Sequence, residues 1–267
     1  MKALIQKVCV LALLCLLGNP VQAQEKLGII LMHGKQGSAT DSRTGLPSIA
    51  ATLQSEGHKV LLPSMPWSSG GWESIHVTVD QVFDQIDGYA AQLRGQGATR
   101  IVIGGHSLGA NIALSYAVER GNVAGVVMMA PGHNPAGSYR STDSVRKAVD
   151  HAVELVQAGK GGSSFSGPDN NQGNAITIST TAQIYLSWLG PRGKASMHAE
   201  APKLPASIPL FMVVGEKDPS FKYAKSAWYD PAAKNPYSKY LEVGADHGTT
   251  PFAASKQIIS WIDGLPR

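Results

Sequence analysis

Cysteine is nearly absent. The 267-residue chain has two, Cys9 and Cys15, and both fall within residues 1–23. Beyond them there is no thiol, which excludes disulfides, a thiolate nucleophile and cysteine-based metal sites. A chain exported without disulfides must hold itself together through its core. Charge is sparse too. Charged residues make up 16% of the chain, and half of the formal net charge of +4 comes from Lys2 and Lys7 near the start. No cluster of Lys and Arg interleaved with aromatics occurs, which argues against nucleic acid as a partner. After Leu17 no apolar run approaches the ~20 residues of a membrane-spanning helix, so no stable membrane insertion of the mature chain is expected. The eight histidines show no H-E-x-x-H or related spacing, and no metal or other cofactor is expected. There is no internal repeat.

What is there begins with a leader. A basic start precedes the apolar run Val8–Leu17, Gly18-Asn19-Pro20 breaks it, and Val21-Gln22-Ala23 offers small residues for cleavage before Gln24. This reads as a secretory signal peptide over 1–23, followed by one domain over 24–267 in the periplasm or outside the cell. Cys15 follows the large residue Leu14, which argues against a lipoprotein site.

In the domain, short apolar runs alternate with helical patterns. Runs at 27–32, 60–62, 101–104, 123–129, 208–214 and 239–243 read as strands. Most lack polar alternation, as expected of a parallel sheet covered on both faces. Val79, Val82, Phe83, Ile86, Tyr89, Ala90 and Leu93 fall on one helical face, with Gly95 and Gly97 after them. Val145, Val149, Ala152, Val153 and Val156 mark a second helix. A last one begins at Pro251, with Thr250 as N-cap and Phe252, Ile258, Ile259 and Ile262 on its buried face. This alternation implies βαβ units and a doubly wound α/β fold, a mostly parallel sheet of about six strands with helices on both faces. The span 131–205 exceeds a simple crossover and reads as a crossover helix plus a small cap. Within it, the polar stretch 159–174 reads as a flexible linker; Gly159-Lys160-Gly161-Gly162-Ser163 lacks phosphate-loop spacing.

The densest signal is Gly105-His106-Ser107-Leu108-Gly109, a G-x-S-x-G pentapeptide. The strand Arg100–Gly104 precedes it and a helical pattern from Asn111 follows it. Strand, sharp turn and helix are the context of a nucleophile elbow. A serine needs an adjacent base oriented by a third group, and the elbow predicts an acid and then a histidine downstream. The last two strands run out into Gly215-Glu216-Lys217-Asp218-Pro219 and Gly244-Ala245-Asp246-His247-Gly248. Loops that follow parallel strands share the carboxyl edge of the sheet, so Ser107, Asp218 and His247 should converge there. Asp246 and Glu216 are rival acids with less suitable placement. Ala130-Pro131-Gly132-His133-Asn134 offers no carboxylate.

On these residues the chain resembles the α/β-hydrolase superfamily, from His33 to the last helix. The family's first two strands have no counterpart, which implies a reduced sheet. The resemblance implies that Ser107 is the nucleophile, His247 the general base and Asp218 its orienting acid. It implies an oxyanion hole from the N–H groups of Leu108 and of the His33-Gly34-Lys35-Gln36-Gly37 loop, with Lys35 first and Gln36 second. His33 would order that loop, and His106 would pack beside the elbow. His133 could line the rim. Trp67, Trp72, Tyr185 and Trp188 could line a substrate pocket or pack the cap onto the sheet. The implied activity is ester hydrolysis on a small or polymeric ester through an acyl-enzyme. Alternatives are a thioester, lactone, polyester or peptide bond on the same triad, or a non-catalytic binding protein on the same scaffold. Ser rather than Asp at the elbow disfavours a dehalogenase.

Overall fold

The computed structural model describes residues 26–266, so the leader expected over 1–23 lies outside the described residues. Within them the six apolar runs form strands, and two polar segments add a further pair: β1 (Leu27–Met32), β2 (Lys59–Leu61), β3 (Arg100–His106), β4 (Gly125–Met129), the polar β5 (Ser164–Asn171) and β6 (Asn174–Thr181), β7 (Leu210–Gly215) and β8 (Lys239–Val243). Six of them make one sheet in the order β2-β1-β3-β4-β7-β8, parallel throughout. Successive side chains on a strand point to opposite faces, and each face has its own apolar layer. Ile30, Met32, Ile103 and Met212 pack with α2 (Val79–Gly95) and α3 (Leu108–Arg120) on one side. Ile29, Leu31, Val102 and Phe211 pack with α1 (Leu46–Ser55) and the C-terminal helix Ser255–Asp263 on the other. This explains why the strand sequences are apolar without alternation. Each fully buried aliphatic side chain contributes about 1.5–3 kcal/mol.

Local chemistry sets the helix ends. Thr78 and Gln81 form a capping box at the start of α2, each side chain bonding the other's backbone N–H. Thr181 caps α6 (Ala182–Leu189) through the Ile184 N–H.

Two expectations are corrected. The stretch 159–174 is not a linker: from Ser164 it forms β5, which pairs antiparallel with β6 as a hairpin of its own. The turn is Gln172-Gly173, at φ 51° and 89°; both central residues are left-handed, as in a tight hairpin turn that follows strand twist. Phe165, Gly167 and Asp169 alternate inward, and the Gly167 position is closed to a side chain because a Cβ would lie 2.7 Å from the Tyr185 ring. The last helix, secondly, is broken at Ala254 into Thr250–Ala253 and Ser255–Asp263. Thr250 sits inside the first piece, where its hydroxyl donates to the Asp246 carbonyl at 2.5 Å. Phe252, expected on the buried face, points outward and is 62% exposed.

The hairpin, α4 (Pro135–Ser141), α5 (Asp143–Gln157) and α6 together form the insertion between β4 and β7. It is tied to the segment after β2 by hydrogen bonds. Trp188 Nε1 donates to the Val77 carbonyl at 2.8 Å, and the Ser179 N–H donates to the Glu73 carbonyl at 2.8 Å.

Candidate active site

Ser107 stands between β3 and α3 at φ 56°, ψ −118°. A non-glycine residue in that region stores on the order of 1–3 kcal/mol of strain. The strain is sustained because both flanking glycines are locked. A Cβ on Gly105 would lie 2.5 Å from the Gly109 carbonyl carbon, and one on Gly109 would lie 2.4 Å from the Met32 carbonyl oxygen. The Ser107 N–H donates to the Met129 carbonyl at 3.0 Å. The serine is thus pinned at the carboxyl edge of the central strands.

The loops after β7 and β8 meet it there. His247 Nε2 lies 2.9 Å from Ser107 Oγ, and Nδ1 lies 2.6 Å from Asp218 Oδ2. A carboxylate only accepts, so Nδ1 carries the proton, and neutral Nε2 accepts from the Ser107 hydroxyl. Asp218 Oδ1 accepts from both the N–H and the hydroxyl of Ser220, each at 2.7 Å. Burial alone would raise the Asp218 pKa, but the bonds from His247 and Ser220 outweigh it and hold the carboxyl below its ordinary range. Ser220 is a contact that sequence reading missed, although a serine two residues after an aspartate is a recognisable turn pattern. The rival acid Asp246 is exposed at the cavity rim, and its Oδ1 accepts from the N–H and hydroxyl of Thr249 at 2.8 and 2.6 Å.

Four further histidine and glycine positions shape the site. His106 donates from Nε2 to the His247 carbonyl at 2.8 Å and packs beside the elbow. Burial, then the neighbouring His247, pushes its pKa down to about 4. His33 donates from Nδ1 to the Gly34 carbonyl at 2.8 Å and accepts from the Met65 N–H at 3.0 Å, so it ties the loop after β1 to the segment after β2. Gly34 and Gly132 crowd the serine from two sides: a Cβ would lie 3.0 Å from Ser107 Cβ at the first and 2.7 Å from Ser107 Oγ at the second.

The Leu108 N–H lies in the first turn of α3, where helix N–H groups have no intrahelical acceptor and the dipole favours negative charge. Of the two loop candidates, the Gln36 N–H is committed to the Trp67 carbonyl at 2.8 Å, whereas the Lys35 N–H has no acceptor among the described residues. The side chains of this loop reach into the cap. Lys35 Nζ lies 2.6 Å from Asp169 Oδ2, with both side chains buried. The same oxygen accepts from Trp72 Nε1 at 2.8 Å. Burial opposes the Asp169 charge, but the Lys35 ammonium holds its pKa below the ordinary carboxylate value. Gln36 accepts from Asn171 Nδ2 at 2.8 Å and donates to Glu73. The hairpin therefore grips the loop that abuts the serine.

The aromatic residues resolve in favour of packing, which corrects their place as pocket lining. Trp67, Trp72, Tyr185 and Trp188 are fully buried. Trp188 meets Trp67 and Trp72 edge-on, with ring centroids 5.9 and 5.4 Å away. His133 also turns inward, donating to the Trp188 carbonyl at 2.9 Å. None of the five lines the cavity of about 700 Å³ over Ser107 and His247, whose described walls also include His33, Lys35 and Gln36. Rings large enough to form a pocket wall are equally suited to fill a seam between layers, and here they fill it.

One cluster elsewhere has metal-ligand residue types: Glu56, His58 and Asp263. Both ring nitrogens of His58 are engaged there, Nδ1 by the Leu27 N–H at 3.2 Å and Nε2 by Asp263 at 2.9 Å. It lies at the amino edge of β1, away from Ser107. No described helix is long and apolar enough to cross a membrane.

Comparison with known proteins agrees with this architecture. A family model described as "Alpha/beta hydrolase family" matches residues 29–259. No curated protein sequence matches the chain. Among solved structures, a monoacylglycerol lipase of Paleococcus ferrophilus is similar at a TM-score of 0.62 and 21% identity, over 91% of this chain and 97% of that one. A thermostable carboxyl esterase of Bacillus coagulans gives 0.64 and 16%, over 91% of each chain. Est1E of Butyrivibrio proteoclasticus, with ferulic acid bound, gives 0.57 and 15%, over 91% of this chain and 88% of that one. At these identities the likeness is one of fold.

Proposed function

Because the chain belongs to the alpha/beta hydrolase family, we propose that it is a serine hydrolase that cleaves carboxylic ester bonds through an acyl-enzyme. The observation that carries the proposal is the hydrogen-bonded line Ser107–His247–Asp218, with contacts of 2.9 and 2.6 Å. The esterases and lipases named among proteins of the same fold fit an ester substrate.

In the proposed reaction Ser107 Oγ attacks the ester carbonyl carbon while its proton passes to His247 Nε2. Asp218 keeps the proton of His247 on Nδ1 and stabilises the imidazolium. The N–H groups of Leu108 and Lys35 receive the negative charge that forms on the carbonyl oxygen. As the intermediate collapses, the bond to the alcohol oxygen breaks and Nε2 returns its proton to that oxygen. Water then enters, gives a proton to Nε2 and attacks the acyl carbon. As this second intermediate collapses, the bond from the acyl carbon to Ser107 Oγ breaks and Nε2 returns its proton to Oγ, which releases the carboxylic acid and restores Ser107.

Hydrolysis of p-nitrophenyl acetate, with Ser107→Ala alongside, tests the reading. Turnover by the parent protein should fall roughly 10⁴-fold or more in the variant, with the fold retained by circular dichroism. An active Ser107→Ala protein would overturn it. We further propose export, on the basic start and the apolar run Val8–Leu17. The recovered protein should then begin at Gln24 in N-terminal sequencing, and a retained Met1 would refute cleavage.

A further inference from the structure

The cavity over Ser107 has an unusual lining for an enzyme that handles acyl groups. Pro219 is the one apolar side chain among the described residues that line it. The rest are hydrogen-bonding groups and glycines. Ser38, Asp41, Thr44, Gln172, Asp246 and Thr249 ring the mouth with donors and acceptors of both kinds. Three cations also reach it, but they are balanced, Lys35 by Asp169 at 2.6 Å. Arg43 is bonded to Asp41 at 2.8 Å, and Lys217 shares the rim with Asp246. The rim thus suits a neutral polar ligand better than an anion.

The acyl side is equally restrictive. The backbone at Gly34 and Gly132 closes on the serine. The large apolar rings near the loop after β1, Trp67, Trp72 and Trp188, are packed to 0% exposure beside the buried Lys35–Asp169 pair and leave no face open to the cavity. An apolar acyl site gains about 0.8 kcal/mol per buried methylene, which is about fourfold in kcat/KM for each added carbon. Along these walls Pro219 is the one apolar side chain among the described residues, so little of that gain is supplied.

We infer that the substrate is a short-chain ester, acetyl in size, of a neutral polyhydroxylated alcohol of the sugar type. The inference rests on the serine-hydrolase reading above. Ser107 would take the acetyl group, His247 would protonate the departing sugar oxygen, and water would release acetate. Gln172, exposed at the tip of the cap hairpin and reaching the cavity, would contact the sugar.

The experiment compares kcat/KM for p-nitrophenyl acetate, butyrate and octanoate, and for methyl 6-O-acetyl-glucoside against hexyl acetate. Parent protein and Ser107→Ala are run in parallel. The expected result is a fall on the order of tenfold from acetate to octanoate. Preference for the acetylated glucoside over hexyl acetate should be of similar size. Gln172→Gly, which suits the left-handed backbone at this position, should lower the ratio of glucoside to p-nitrophenyl acetate turnover. Rates that rise from acetate to octanoate, or that favour hexyl acetate, overturn the substrate class and leave the ester reading intact. Release from none of these esters that depends on Ser107 overturns both.

Discussion

At the scale of single residues, the site depends on atoms that are absent as much as on those present. Gly132 is the clearest case, since a methyl group there would lie 2.7 Å from Ser107 Oγ and 3.3 Å from His247 Cε1. Gly132→Ala should push the hydroxyl away from Nε2. Misplacement of about 1 Å is worth roughly 100-fold in rate, so kcat should fall by about that factor with little change in thermal midpoint. Activity at the parent level would show that the hydroxyl can be held from elsewhere. Asp218 supplies the complementary test. Asp218→Asn removes the group that fixes the His247 tautomer, and a loss of up to ~10⁴-fold in kcat is expected. Full activity in that variant, measured with p-nitrophenyl acetate, would reassign the acid. These residues were legible in the sequence because each sits directly after a strand, where parallel topology fixes its position. Gly132 was not, because nothing in Ala130-Pro131-Gly132 reveals which atom the missing side chain would meet.

At the scale of elements, the central strands read clearly while the cap did not. Strands such as Ile101-Val102-Ile103 are buried on both faces and show it in composition. The hairpin of β5 and β6 is built largely from Ser, Thr, Asn and Gly, and its ladder rests on main-chain pairing with few apolar anchors, Phe165 and Ile178 among them. Such a segment resembles a loop until its partner is known. Its grip on the loop after β1 was hidden for the same reason: Lys35 and Asp169 are 134 positions apart. Breaking a buried ion pair typically destabilises by about 3–5 kcal/mol, and Asp169→Ala should show a loss of that order in urea unfolding. The double variant Lys35→Met/Asp169→Leu should recover part of it, since the ammonium is gone but Trp72 Nε1 still lacks its acceptor. A double variant less stable than Asp169→Ala would mean that the pair itself is not the source of the loss.

At the scale of the whole molecule, pH acts through histidines that the fold keeps uncharged. Burial holds His33 below its ordinary value and pushes His106 and His133 down to about 4. Exposed by unfolding, the same groups titrate near 6.5. Between those values the unfolded chain binds more protons, so stability falls as pH falls from about 6.5 to about 4. Asp218 and Asp169, held below the ordinary carboxylate range, add their loss only at lower pH, as they too become protonated. Thermal midpoints should be level near neutrality and decline through that window, with a shallower slope in His106→Gln. Midpoints that hold steady down to pH 4 would contradict the account.

The strand order carries a consequence in time. Ser107, the proposed nucleophile, stands at the end of β3, in the middle of the sheet, whereas His247, its proposed base, follows β8, an edge strand that pairs with β7 alone among the described residues. During synthesis the serine is made 140 residues before the histidine. An emerging chain can complete β1 to β4 and hold Ser107 in its turn, yet that serine has no proton acceptor until the last strand docks. On the proposed function, recovery of ester turnover in refolding should therefore trail the recovery of helical signal, with β8 docking as the final event. On the same proposal, nascent or clipped chains that lack this edge would keep Ser107 in its turn and yet hydrolyse no ester.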